Sequence, residues 1–181
     1  GNILAMASYP TYDLNDTRNP DNLIGMPALD ENGKKTGEYL TEEMIGQLDD
    51  DQMYQQLNAL WKNFCIVDTY EPGSVAKPFT VAGAIESGSI TGNEYYNCEG
   101  KLHVGNYDIK CHQRFGDGYI SVQEGIERSC NVVLMDVAFA MGAEKFVDYQ
   151  RKFGFGLKTN IDLAGEARTA NMVFSKDTIG I

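Results

Sequence analysis

Pro78 fixes where one helix of this chain has to start. A proline has no backbone N–H, so a helix tolerates it only in or just past the first turn, where that donor would be unpaired anyway. In Tyr70-Glu71-Pro72-Gly73-Ser74-Val75-Ala76-Lys77-Pro78-Phe79 this predicts a helix from about Ser74 to Gly88, whose glycine suits a C-terminal cap. Ser74 then stands at the positive end of the helix dipole with its own N–H available. Lys77, three residues on, lies about one turn away on the same face.

An amine above a serine hydroxyl is what a Ser–Lys nucleophile needs. Lys77 must be neutral to accept the hydroxyl proton, so burial or a neighbouring cation has to lower its pKa. The Ser-x-x-Lys spacing alone equally describes a helix N-cap followed by a solvated lysine. The flanking Glu71-Pro72-Gly73 and the proline directly after Lys77 count against that plainer reading. A second polar constellation is Ser129-Cys130-Asn131. Ser129 and Asn131 are both good N-caps. Wedged before a buried helix, however, their side chains must find partners. If the triplet faced Ser74 and Lys77, it would offer a hydroxyl for proton relay and an amide to hold a peptide bond.

The remaining pattern sets these motifs in an α+β order dominated by helix. Residues 1–8 read as a strand. Tyr9 to about Leu40, with Pro10, Pro20, Pro27, Gly25, Gly33 and Gly37, reads as a long irregular segment of functional or mobile character. Met53, Leu57, Leu60, Trp61 and Phe64 recur at helical spacing, predicting a core-facing helix over Asp51 to Asn63 that starts at the acidic run Asp49-Asp50-Asp51. Tyr95 to Ile109 reads as a hairpin. Ser121-x-x-Glu124 is a capping-box pattern. Buried and amphipathic helices follow, over about Val132 to Met141 and Glu144 to Phe153, the last ended by Gly154.

A length of 181 residues suits a single domain over 1–181 that buries roughly 70% of its extended-chain surface. Fifteen Lys and Arg against 26 Asp and Glu give a net charge of -11. That sign repels a phosphate backbone, so no nucleic-acid partner is expected. The longest apolar runs are about five residues, far below the roughly 20 of a membrane span. The chain opens inside an apolar run with no initiating Met, so it reads as an excised piece whose membrane anchor lies outside it.

Together these residues resemble the transpeptidase domain of class B penicillin-binding proteins, closest to the division and sporulation enzymes of Gram-positive bacteria. Ser74-x-x-Lys77 and Ser129-x-Asn131 are similar to the first two of the three motifs that mark penicillin-binding proteins and serine β-lactamases. The opening strand, Asp13, Asn15, Gly154-Phe155-Gly156 and Ile161-Asp162-Leu163 resemble further family segments.

The resemblance implies the helical part of the transpeptidase fold, with one strand of its antiparallel sheet and a small hairpin. It implies a D,D-transpeptidase. Ser74 would attack the penultimate D-Ala carbonyl of a peptidoglycan stem peptide, with Lys77 as general base. Ser129 would pass the proton to the leaving amine and Asn131 would orient the substrate. The Ser74 N–H would form half of an oxyanion hole. An amine of a second stem peptide would resolve the ester, and β-lactams would stall at Ser74.

Further implications are action at the extracytoplasmic face of the membrane, no cofactor, and partners in a glycosyltransferase and in division or sporulation proteins. The third motif, Lys-Thr-Gly, is absent and is expected beyond Ile181; Lys158-Thr159-Asn160 is rejected as a substitute because it precedes that strand. Gly116-Asp117-Gly118 stands where relatives often carry His-Gly. Two alternatives remain: a serine β-lactamase, and a non-catalytic penicillin-recognising sensor or scaffold domain.

Four cysteines complete the inventory. Cys98 and Cys111 flank the predicted hairpin, and a disulfide between them would close a loop of about 14 residues, stabilising by roughly 3 kcal/mol. Cys65 and Cys130 sit among apolar residues and read as buried thiols. A metal set of Cys98, Cys111, His103 and His112 lacks zinc-like pair spacing, so no metal is expected.

Overall fold

The computed structural model describes residues 2–179. They group into two compact units, one of residues 2–69 with 162–167 and one of residues 70–161 with 168–179.

In the first unit residues 2–8 form no strand, against expectation. A strand exists only by its ladder, and no described segment pairs with this one. The segment read as irregular is ordered. A 3₁₀ turn at Pro20–Leu23 leads into the antiparallel pair β1 (Pro27–Leu29) and β2 (Lys35–Tyr39). The turn between them is closed by the Asp30 carboxylate, which accepts from the backbone N–H of Asn32 and Lys34, each at 2.9 Å. Gly33 supplies the positive φ the turn requires.

Three helices follow, α1 (Glu42–Ile45), α2 (Asp50–Trp61) and α3 (Phe64–Val67). Asp49 caps α2 through a reciprocal box with Gln52, with bonds of 2.8 and 3.0 Å. Leu57 and Leu60 turn inward from α2 onto Leu23, Met26, Ala28, Leu40 and Ile45. Each such burial contributes about 1.5–3 kcal/mol. Lys62 turns extended and ends α2, so Phe64 leaves the predicted stripe and is exposed.

The second unit opens with a 3₁₀ turn, Gly73–Ala76, that runs into α4 (Lys77–Glu86) with Pro78 in its first turn. Strand β3 (Tyr95–Cys98) pairs with β6 (Gly118–Ser121), and β4 (Lys101–Val104) with β5 (Tyr107–Lys110), both antiparallel. The predicted hairpin is therefore β4–β5, carried as an excursion between β3 and β6. The capping box at Ser121 opens α5 (Val122–Glu127).

The two final helices join as α6 (Asn131–Lys152), broken at Gly142 by φ 73° and ψ 163°. Val132, Val133, Val137 and Met141 of α6 pack with Val81 and Ala84 of α4 and with Ile120 and Val122. Gly83 lets α4 approach Tyr149, whose Cβ would lie 3.0 Å from any added methyl. Phe79 stacks edge-on against Phe153 and Phe155 at ring separations of 5.1 and 5.3 Å. That clasp ties the start of α4 to the end of α6.

Candidate active site

Ser74, Lys77, Ser129 and Asn131, predicted from two separate motifs, converge in the second unit. Ser74 rides the 3₁₀ turn, where Gly73 takes φ +58° and the Lys77 N–H donates to the Ser74 carbonyl. This tight turn precedes α4 because Pro78 withholds a donor from the first turn. Ser74 is exposed, whereas Lys77, Ser129 and Asn131 are half-buried.

The other side of the site is set by how α5 ends. The Ser129 N–H donates to the Ile126 carbonyl at 2.9 Å and the Cys130 N–H to that of Gly125 at 2.8 Å. Between those bonds Ser129 adopts φ +54°, a left-handed conformation that costs a non-glycine residue about 1 kcal/mol or more. Gly125 makes the turn feasible, since a methyl there would lie 2.6 Å from Val133 Cγ1.

Lys77 Nζ donates to the Ser129 carbonyl at 2.6 Å, to Ser129 Oγ at 2.9 Å and to Asn131 Oδ1 at 2.8 Å. Ser129 Oγ donates onward to Ser74 Oγ at 2.9 Å. The link from lysine to the exposed serine thus runs through the second hydroxyl. Burial draws the Lys77 pKa below its ordinary value, against a smaller opposing electrostatic effect of Cys111 and Cys130.

Two of the three Lys77 partners are obligate acceptors, and the third is a hydroxyl that both donates and accepts. A neutral amine keeps two N–H groups for the Ser129 carbonyl and Asn131 and turns its lone pair to Ser129 Oγ. The same geometry therefore serves both charge states. Proton movement from Ser74 to Lys77 needs only a reversal of two hydroxyl orientations.

Asn131 also donates from Nδ2 to the Lys110 carbonyl at 3.1 Å. This contact and the left-handed Ser129 were not foreseen: a backbone carbonyl carries no residue-type signal, and serine does not advertise positive φ. Lys158-Thr159-Asn160 lies on no strand.

Cys130 is a buried thiol as expected, and the other cysteines depart from expectation. Cys98 and Cys111 are both free thiols, gathered with Cys130 in one buried cluster where Cys111 Sγ lies 3.8 Å from Cys130 Sγ. Cys65 is exposed, on an α3 that turns its sulfur toward the Ala7 carbonyl at 3.7 Å. His103, of the quartet rejected as a metal set, stands on the exposed face of β4, where its Nδ1 lies 2.9 Å from Asp108.

Residues 1–178 match the family described as the penicillin binding protein transpeptidase domain. The chain is 31% identical over 166 residues to stage V sporulation protein D of Bacillus subtilis (strain 168), covering 89% of this chain and 24% of that protein. It is 29% identical to the peptidoglycan D,D-transpeptidase FtsI of Escherichia coli (strain K12), covering 92% of this chain and 22% of that one. In fold it is similar to Pseudomonas aeruginosa PBP2, solved in complex with WCK 5153. The TM-score is 0.57 at 24% identity, over 75% of this chain and 32% of that one. The chain spans about a quarter of the length of these two relatives.

Proposed function

The chain belongs to the penicillin-binding protein transpeptidase family, and from that premise we propose that it carries the acylating half of a D,D-transpeptidase site. Both units are taken as parts of one transpeptidase domain over residues 1–181. The observation that carries the reading is Ser129 Oγ, 2.9 Å from both Ser74 Oγ and Lys77 Nζ. It joins a nucleophile to a base in one relay.

In this reading Ser74 Oγ attacks the penultimate D-Ala carbonyl of a stem peptide, and its proton passes through Ser129 to neutral Lys77. Collapse of the tetrahedral intermediate breaks the D-Ala–D-Ala amide bond. The proton returns through Ser129 to the departing amine, leaving an ester on Ser74. An amine of a second stem peptide then takes the acyl group, and the cross-link forms as Ser74 regains its proton. Asn131 holds Lys77 and the substrate amide in place. A β-lactam acylates by the same first step, but its leaving amine stays tethered. The corresponding place of action is the extracytoplasmic face of the membrane, with a glycosyltransferase and division or sporulation proteins as partners.

Intact-mass spectrometry after incubation with benzylpenicillin tests the reading. A gain of one penicillin, absent in Ser74→Ala, supports it. An adduct that survives Ser74→Ala, or none on folded protein, overturns it for this chain.

A further inference from the structure

The ligand atoms of Cys98, Cys111, Asp117 and Cys130 all lie within 4.8 Å of one another, and none of these side chains takes part in the relay described above. They come from four separate points of the second unit: the end of β3, the segment after β5, the approach to β6, and the N-cap of α6. All three cysteines are at most 5% exposed. The sequence pairs expected from a zinc site are missing because the ligands are gathered by tertiary structure, not by local spacing.

We propose that Cys98, Cys111, Cys130 and Asp117 bind one zinc ion that fixes the Ser129–Asn131 turn. Tetrahedral zinc with Zn–S bonds of about 2.3 Å requires sulfur–sulfur edges of about 3.8 Å, and sulfur–oxygen edges slightly shorter. Cys111 Sγ stands 3.8 Å from Cys130 Sγ and 3.6 Å from Asp117 Oδ2. Three soft sulfurs and one carboxylate oxygen form a donor set that suits zinc and is poor for magnesium or calcium.

The backbone is built around the cluster. Gly100, at φ +88°, brings its Cα so close to Arg114 that an added methyl would lie 2.4 Å from the Arg114 carbonyl oxygen. A methyl on Gly116, at φ +83°, would lie 2.0 Å from the Cys98 carbonyl oxygen. Only glycine lets these two turns interlock, and their interlocking sets Cys98 beside Asp117. The Cys111 N–H is itself tied to the Gly100 carbonyl at 2.8 Å. Backbone N–H groups of Gln113 and Asn131 point at the Cys111 sulfur, and that of Val133 at Cys130. Such donors offset the charge of a metal-bound thiolate.

Binding balances as three thiols losing their protons to solvent while zinc gains three thiolates and one carboxylate. Because Cys130 lies between Ser129 and Asn131, the metal would tie that turn to the β4–β5 excursion. It would thus position both residues without touching substrate.

The test is independent of the transpeptidase reading, since it measures metal. The 181-residue chain is purified with reductant and zinc, desalted, and checked for fold by circular dichroism. Elemental analysis should give one zinc per chain. Cobalt substitution should give the thiolate charge-transfer and tetrahedral bands. Cys98→Ala should lose at least tenfold in zinc affinity while Cys98→Asp, which restores a ligand atom, recovers part of it; Cys65→Ser should keep it all. A folded chain with four titratable thiols and no zinc overturns the proposal. So does a chain with two thiols lost to a Cys111–Cys130 disulfide that excludes the metal, or zinc bound equally by Cys98→Ala.

Discussion

Asn131 donates to the Lys110 carbonyl at 3.1 Å while its own oxygen accepts from Lys77 at 2.8 Å. One amide therefore ties the end of β5 to the Lys77 amine. Asn131→Ala strands a carbonyl and an ammonium N–H together. Hydrogen bonds to charged groups contribute about 1.5–3 kcal/mol. The second-order rate of benzylpenicillin acylation should fall about ten- to a hundredfold. Asn131→Asp adds a negative charge beside Lys77 and should slow acylation by holding that amine protonated. Stopped-flow or quenched mass spectrometry of both variants checks the pair; an Asp variant as fast as the parent would refute the role given to Lys77.

Gly125→Ala should destabilise the protein by about 1–3 kcal/mol, the cost of overpacking a tight contact. The added methyl would meet Val133 Cγ1 at 2.6 Å, and relief requires α5 and α6 to separate. Ser129 lies on the turn between them, so acylation should fall as well. Urea melts together with acylation rates test this. Unchanged stability would mean that the helix contact is looser than its geometry.

How much of this was legible follows from where each signal resides. Pro78, the Ser121 box and the α2 stripe are local rules that the structure follows, except that Phe64 falls outside α2 and a 3₁₀ turn at Gly73–Ala76 precedes α4. The pair Asn32-Gly33 was a hairpin signal of the same local kind, obscured by the surrounding prolines and aspartates. The strand expected at residues 2–8 failed because strands depend on partners. The site was readable as two motifs, since each needs particular side chains. The relay order from Lys77 through Ser129 to Ser74 depends on the backbone conformation of Ser129, which residue type does not encode. The cysteine cluster was unreadable for the opposite reason: its four members are assembled by β3–β6 pairing and two glycine turns.

Two capping boxes separate stability from chemistry. Asp49→Ala and Ser121→Ala each remove a side-chain acceptor at a helix start and should cost about 1 kcal/mol. Asp49 opens α2 in the first unit, and its variant should keep the parent acylation rate. Ser121 opens α5, whose last turn delivers Ser129, so its variant should acylate more slowly. Thermal melts and penicillin kinetics on the two proteins decide this; equal rates in both would show that the Ser129 turn is held from α6 alone.

Lys77 should impose a rising pH dependence on acylation. Burial lowers its pKa from the ordinary 10.5, so the neutral amine becomes populated at lower pH than in a free lysine. Between the two values the unfolded chain binds more protons than the folded one. Stability contributed by this group therefore increases with pH through that window, and below the lowered pKa the cost of a partly buried ammonium is fully present. The acylation rate should climb over the same range as the lone pair on Nζ becomes available to Ser129. Lys77→Arg keeps a cation that does not deprotonate and should lose the ascending limb, with a rate lower by about 10²- to 10⁴-fold. Rates of benzylpenicillin acylation measured across pH on both proteins provide the check. A limb that persists unchanged in Lys77→Arg would assign it to another group and remove the lysine from the relay.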